Sequence, residues 1–336
     1  MGLKLLFLDK KKVKKCGGDD ISLAIKTMEK VFSLHQKEDY VLPEKSVLRW
    51  GDSESENILG RINSLSAYIG GDFKASGIKW ISNAPKNPFE FSMPRASGLI
   101  ILNDFYTLAP IAIMEGAVIS STRTGANSGV AANYLANKES KSLGLVGAGV
   151  QNRTQLLAMS NVLNKLEHVK VMDIDLNKAN KFAEEMSPKV GINIKVVNSP
   201  KEAIKDADVF ITATEAKKPL IKYEWIKTGA LYIHIGNHES EFDVIKKANK
   251  IVVDDWKKIK QRGVSSIALM HKNEEINDSD IYAQLGDIVN HKKAGRFNEE
   301  EFIYFNCVGM GIQDVAFASV IYSIAKEKRI GDILNL

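Results

Sequence analysis

The chain has 336 residues, of which 44% are hydrophobic and 26% charged. That is length enough for two domains, with the balance of an ordinary soluble protein. No apolar run approaches the roughly 20 residues that span a bilayer, so a membrane role is not expected. The net charge of +5 is spread over interspersed lysines and acids, as in 201-KEAIKDAD, without the sustained basic stripe that nucleic acid requires.

In chain order, LKLLFLD near the N-terminus reads as a strand. The lysines after it reverse the order of a signal peptide, and Leu6 stands where a myristoylation signal needs Ser or Thr. Strand-like pieces follow at 75-ASGIKWIS, 97-SGLIILND and 109-APIAIME, separated by Gly70-Gly71 and 85-PKNP. They suggest an α+β region of lone antiparallel or mixed strands. Lys79, among Ile78, Trp80 and Ile81, has two readings: an edge strand whose lysine reaches out to water, or a partly buried lysine with a lowered pKa suited to catalysis.

From residue 142 the pattern changes. Strands are expected at 142-SLGLVGAG, 168-HVKVMD, 192-INIKVV, 208-DVFITAT, 230-ALYIHIG and 250-KIVVDD. Helical spacing lies between them at 151–165, 177–187, 199-SPKEAIKDA and 222-KYEWIKTG. Short apolar strands alternating with helices predict an α/β, doubly wound parallel sheet. The segment 307-CVGMGIQDVAFASVIYSIAKEKRI reads as a helix after a glycine turn, packing back on the first domain. The expected division is therefore 1–123 plus 307–336, with 124–306 inserted. Cys16 and Cys307 are too few for a metal cluster or a disulfide framework, so no metal and a reducing, cytoplasmic setting are expected.

The turn 147-GAGVQN sits between a strand and a helix, where G-x-G-x-x-G/A has meaning. Gly147 permits the tight turn and Gly149 the approach of a pyrophosphate, with Val150, Gln151 and Asn152 opening the helix. Asn152 departs from the small sixth residue. Asp173, one βαβ unit later, can accept from the adenosine ribose hydroxyls, and an acid there favours NAD over NADP. Thr212 and Ala213 end the fourth strand and Gly236 follows the fifth, so all three are candidates to approach the cofactor. The insert is thus expected to be a Rossmann-type NAD domain. Chemistry on an amino acid also needs a cation for its carboxylate, and Arg49, Arg61, Arg95 and Arg123 in the first domain are candidates, together with Lys79.

The order SGIKWI, PRASGLIILND, PIAIMEGAVISSTRT, GLVGAGVQN, DVFITAT and VGMGIQD resembles the ornithine cyclodeaminase/μ-crystallin family along nearly the whole chain. Within it, the spelling is most similar to the N-((2S)-2-amino-2-carboxyethyl)-L-glutamate dehydrogenases of siderophore and antibiotic pathways. The resemblance implies that Lys79 is the active-site lysine and that Arg123 grips the α-carboxylate, with Thr124 beside it near the cofactor. It implies Glu239, in GNHESEFD, as the catalytic acid, a departure from the family's aspartate. It further implies a homodimer built through the first domain and NAD-dependent cleavage of that substrate to 2-oxoglutarate and L-2,3-diaminopropionate. Cyclodeamination of ornithine, a related imine reduction or amino-acid oxidation, and a non-enzymatic crystallin-like role are the alternatives.

Overall fold

In the computed structural model, which describes residues 2–51, 59–216 and 218–336, the chain divides into two compact units. A discontinuous unit joins Met1–Arg123 to Met310–Leu336, and a central unit comprises Thr124–Gly309. The discontinuous unit starts with β1 (Lys4–Leu8), α1 (Lys10–Lys15), α2 (Ile21–Gln36), β2 (Tyr40–Val41), β3 (Ser46–Trp50), β4 (Gly60–Ile69) and β5 (Ala75–Asn83). It continues through α3 (Asn87–Glu90), β6 (Ala96–Asn103) and β7 (Pro110–Glu115) to α4 (Gly116–Leu135), inside which the division falls. The central unit holds β8 (Ser142–Val146), α5 (Val150–Val162), β9 (His168–Met172), α6 (Leu176–Val190), β10 (Ile194–Val196), α7 (Pro200–Ile204), β11 (Val209–Thr212) and β12 (Leu231–His234). After these come α8 (Phe242–Lys246), β13 (Lys250–Val253), α9 (Trp256–Arg262), α10 (Ser266–Lys272), β14 (Ala283–Gln284), α11 (Leu285–Val289) and β15 (Ile303–Asn306). The chain then returns to the first unit with α12 (Gly311–Glu327) and β16 (Asp332–Asn335).

The pieces of the first 120 residues are one sheet, ordered β16-β1-β7-β6-β5-β4-β2 with β3 also paired to β4. Only β1 and β7 run parallel among these pairs. The pairing of β16 with β1 has no signal in the apolar pattern, because all four β16 residues are exposed. Helix α2 is amphipathic, burying Ala24, Ile25, Met28, Val31 and Phe32 at helical spacing, with Asp20 capping its first turn through Leu23 N at 3.0 Å. Helix α12 packs on β4, β5, β6 and α2 and is buried along most of its circumference. It lies against the sheet face that carries Leu65, Lys79, Ile100 and Met114, which are register neighbours. The opposite face bears Trp80, Leu99, Ile78 and Ile101, with Trp80 44% and Leu99 37% exposed. Strand β5 lies between β4 and β6, so the edge-strand account of Lys79 is corrected.

The central unit is an eight-stranded sheet, β10-β9-β8-β11-β12-β15-β13-β14, parallel at every pairing. Strands β11, β12, β13 and β15 are buried at all four positions, which is why they read as short continuous apolar runs. The order reverses between β8 and β11, the switch point outside which doubly wound sheets bind ligands. The helix expected at 222-KYEWIKTG is only a 3₁₀ turn at Tyr223–Trp225, and the chain turns again at Gly229 with φ +79°.

Candidate active site

In the discontinuous unit three charged side chains converge where almost no solvent reaches. Lys79 is 3%, Arg123 7% and Asp314 0% exposed. Each comes from a different element. β5 presents Lys79 toward α12, and α12 places Asp314 in its first turn, where the helix dipole favours an anion. Helix α4, capped by the Glu115 carboxylate on Ala117 N and Val118 N, presents Ser120 and Arg123 on one side at i, i+3 spacing. Lys79 Nζ pairs with Asp314 Oδ2 at 2.5 Å, and Arg123 Nε donates to Asp314 Oδ1 at 2.9 Å. Ser120 Oγ accepts from Lys79 Nζ at 3.2 Å and from Arg123 Nη2 at 3.5 Å, while Arg123 Nη1 donates to Gln313 Oε1 at 3.2 Å.

Burial is the largest influence on Lys79 and disfavours its ammonium; Asp314 pulls the other way, and the balance lowers the pKa to about 8. Burial alone would raise the Asp314 carboxyl, but Arg123 and Lys79 overcome it and hold it below the usual carboxylate range. The centre thus pairs an amine able to exchange protons near neutral pH with a guanidinium fixed by a permanent anion. Asp314, Ser120 and Gln313 were not singled out from sequence. The available signal was a lone acid inside the apolar helix GIQDVAFASVI, since a buried carboxylate needs cationic or hydrogen-bonding partners.

Two of the other arginines, Arg49 and Arg61, occupy the same sheet face. Arg61 stands opposite Asn83 and Arg49 opposite Arg61, and residues 61 and 83 each lie four positions from the Leu65–Lys79 pair. Arg95 Nε donates to Asn83 Oδ1 at 3.3 Å. Arg49 and Arg61 are exposed and Arg95 is half-buried.

In the central unit, Gly147 has φ +99°, and a Cβ there would lie 2.8 Å from Ala213 O, so both the turn and the close approach demand glycine. Gly149 N-caps α5 without a side-chain hydrogen bond, and a Cβ built on it would meet nothing within 4 Å. That open cradle at a helix N-terminus fits a pyrophosphate. Asp173 directly follows β9 and its carboxylate accepts from Ala148 N at 2.7 Å and from Asp175 N at 2.9 Å, which fixes it beside the glycine turn. Val150 is exposed, as is Ile174 beside Asp173. Gln151 is half-buried, and the Thr124 carbonyl accepts from Gln155 Nε2 at 3.4 Å.

Asn152 does not open toward a ligand. It is fully buried, and its Nδ2 donates to Val146 O at 2.9 Å and Gly147 O at 2.6 Å, tying the turn from beneath. This explains how the fold tolerates an amide where a small residue is usual. Glu239 is also fully buried. Its carboxylate accepts from Thr214 N and Thr214 Oγ1 at 2.6 Å each, Thr212 Oγ1 at 2.7 Å and Gly236 N at 2.8 Å. A Cβ on Gly236 would overlap the Glu239 carboxyl carbon, so a side chain there would displace that carboxylate. The lysine's carboxylate partner is therefore Asp314, while Glu239, Thr212 and Gly236 form a network within the central unit.

Comparison with known proteins identifies the family. The N-((2S)-2-amino-2-carboxyethyl)-L-glutamate dehydrogenase of Staphylococcus aureus is 35% identical over 337 residues, covering 100% of both chains. The structure of Thermococcus litoralis Δ1-pyrroline-2-carboxylate reductase with NADH and L-proline superposes with a TM-score of 0.90 at 35% identity, covering 98% of this chain and 99% of that one. An archaeal alanine dehydrogenase dimer with bound NAD matches with a TM-score of 0.89 at 32% identity over 99% of each chain. The family model described as ornithine cyclodeaminase/mu-crystallin matches residues 25–329, and the chain belongs to that family.

Proposed function

We propose that the chain is an NAD-dependent oxidoreductase of amino-acid C–N bonds whose substrate is N-((2S)-2-amino-2-carboxyethyl)-L-glutamate, cleaved to 2-oxoglutarate and L-2,3-diaminopropionate. The observation that carries the chemistry is the buried Lys79–Asp314–Arg123 centre, with its amine poised near pH 8 beside a fixed guanidinium. NAD, when bound, supplies the hydride acceptor. Gly147, Gly149, the N-terminus of α5 and Asp173 would hold it, and the Asp173 anion disfavours a 2′-phosphate.

Arg123 holds the α-carboxylate of the carbon to be oxidised, its orientation set by Asp314 and Gln313. Neutral Lys79 takes the proton from the substrate ammonium, because only the free amine lone pair can assist loss of hydride from Cα. Oxidation leaves a C=N bond. Water adds to that carbon and loses one proton to solvent, giving a carbinolamine. The Lys79 ammonium, steadied by Asp314 and Ser120, returns its proton to the nitrogen. The C–N bond breaks as the C=O bond of 2-oxoglutarate forms, and the hydroxyl proton passes to the departing amine.

The substrate has three carboxylates. Arg49 and Arg61 lie in register with Asn83 on the Lys79 face, four residues along the strand, a separation of about 13 Å, and Arg95 bonds the same Asn83 side chain. Like charges opposite one another in a sheet are destabilising, so Arg49 facing Arg61 suits an anionic ligand. The full-length likeness to the Staphylococcus aureus dehydrogenase supports the same substrate.

The test is incubation with NAD and candidate amino acids. NADH and 2-oxoglutarate should form in equal amounts from this substrate alone; ammonia released from ornithine without net NADH would replace the assignment with cyclodeamination. In the same assay Arg95→Ala should raise KM about tenfold or more with a smaller change in kcat, and an unchanged kcat/KM would remove Arg95 from substrate binding.

The half-exposed apolar face around Trp80 and Leu99 is assigned to a homodimer contact on its exposure; that the archaeal relative is a dimer supports dimerisation itself. Trp80→Glu should then shift the solution mass to that of a monomer, measured by light scattering; a wild-type monomer would dismiss the contact. Both cysteines are buried thiols, and a cytoplasmic location belongs to the same proposal. Among the described residues no helix is long and apolar enough to cross a membrane.

A further inference from the structure

Asp314 and Glu239 are both buried acids, but they are neutralised differently. Asp314 has two cations against it. Among the described residues, every group bonded to Glu239 is neutral: two backbone amides and two threonine hydroxyls. The nearest ionisable ring, His234, has Nε2 at 3.4 Å and is itself neutral. Its Nε2 faces the Asn237 carbonyl at 2.7 Å and must donate there, which leaves Nδ1 to accept from the Tyr304 hydroxyl at 2.7 Å. Tyr232 OH lies 2.8 Å from Thr212 Oγ1, extending the neutral shell. Both amides can only donate, and Thr214 Oγ1 accepts from Ala216 N, so its own hydrogen is available to Glu239. This donor set suits a carboxylate anion, while burial raises the pKa of the group.

Buried charges are ordinarily paired with an opposite charge, and no such charge is bonded to Glu239 among the described residues. Glu239 lies beside Thr212, Thr214 and Gly236, at and just beyond the carboxyl ends of β11 and β12. With the adenosine half on the β9 side of the switch point, at Asp173, the order of the sheet sends the nicotinamide half toward β11 and β12. The oxidised ring is a cation and the reduced ring is neutral.

We propose that Glu239 is a specificity-determining anion that makes this fold favour the oxidised over the reduced dinucleotide. The proposal rests on the assignment of the central unit to NAD. It gives Glu239 no proton to transfer and no contact with the amino-acid substrate.

The test is calorimetric binding of NAD⁺, NADH and ADP-ribose to the full chain, wild type and Glu239→Gln. NAD⁺ affinity should fall roughly tenfold in the variant, the scale of one partly screened buried charge, while NADH and ADP-ribose affinities stay within about twofold. Equal weakening of NAD⁺ and NADH would overturn the proposal and leave Glu239 as scaffolding, and no change in any affinity would overturn it as well. Absence of ADP-ribose binding to the wild-type chain would instead refute the dinucleotide assignment. Should Glu239→Gln fail to fold, Thr214→Val removes one hydroxyl donor and keeps the acid. It should lower the NAD⁺ preference in the same direction by a few-fold, and an unaltered NAD⁺ to NADH ratio there would also count against the proposal.

Discussion

Lys79→Met should lower kcat by about 10²–10⁴-fold, the range lost when a positioned acid–base group is removed, while NAD binding and the melting temperature stay near wild type. Methionine fills the buried stem, and Asp314 keeps Arg123 as its partner, so no anion is stranded. The pH profile provides the sharper check. Burial disfavours the ammonium and Asp314 only partly restores it, setting the titration near pH 8. The neutral amine, the form that accepts a proton, predominates above that value. kcat/KM should therefore rise with pH and level off above about 8, and the limb should vanish in Lys79→Met. A profile that falls through the same region would mean that the ammonium is the active form, and the base role would be lost.

Asp314→Asn should be worse for the fold than for any single contact. It leaves Lys79 and Arg123 together in a place with almost no solvent, and removing one partner from a buried ionic group destabilises by about 3–5 kcal/mol. The midpoint of denaturant unfolding should drop accordingly. Without the carboxylate the Lys79 pKa also moves further down, because Asp314 is what opposes burial and the Arg123 charge. Any surviving activity should show its pH limb shifted to lower pH. The double variant Lys79→Met/Asp314→Asn should recover part of the stability, since one buried cation is gone. If Asp314→Asn alone unfolds like the wild type, the pairing at 2.5 Å contributes nothing and the site description fails.

The parallel sheet was legible in the sequence because its strands are buried on both faces. VFIT, LYIH and IYFN are short apolar runs of the kind that need only a switch in period to be recognised, although the last lay outside the segments picked out. The glycine turn and Asp173 were legible because their spacing is imposed by the fold. What the sequence hid were side chains whose partners lie far along the chain. Glu239 follows a strand end as a catalytic acid would, but its role depends on Thr212, Thr214 and Gly236, whose hydrogen bonds leave no signature in residue order. Asp314 was hidden for the opposite reason: it looks like one polar exception in an apolar helix. For 222-KYEWIKTG local propensity misled, and the segment keeps a single 3₁₀ turn before the chain bends at Gly229.

The position of Asp314, 191 residues after Arg123, has a consequence for biosynthesis. A ribosome working from the N-terminus releases the lysine and arginine of the centre long before the acid that neutralises them. The central unit, whose strands all lie between Ser142 and Asn306, is complete first and has the means to fold as the chain emerges. Until α12 arrives, β4, β5 and β6 lack the helix that covers them, and two cations that end up dry must stay in water. Assembly of the acid–base centre is therefore a late, long-range event, and a chain truncated before residue 314 would carry Lys79 and Arg123 without the carboxylate that pairs them.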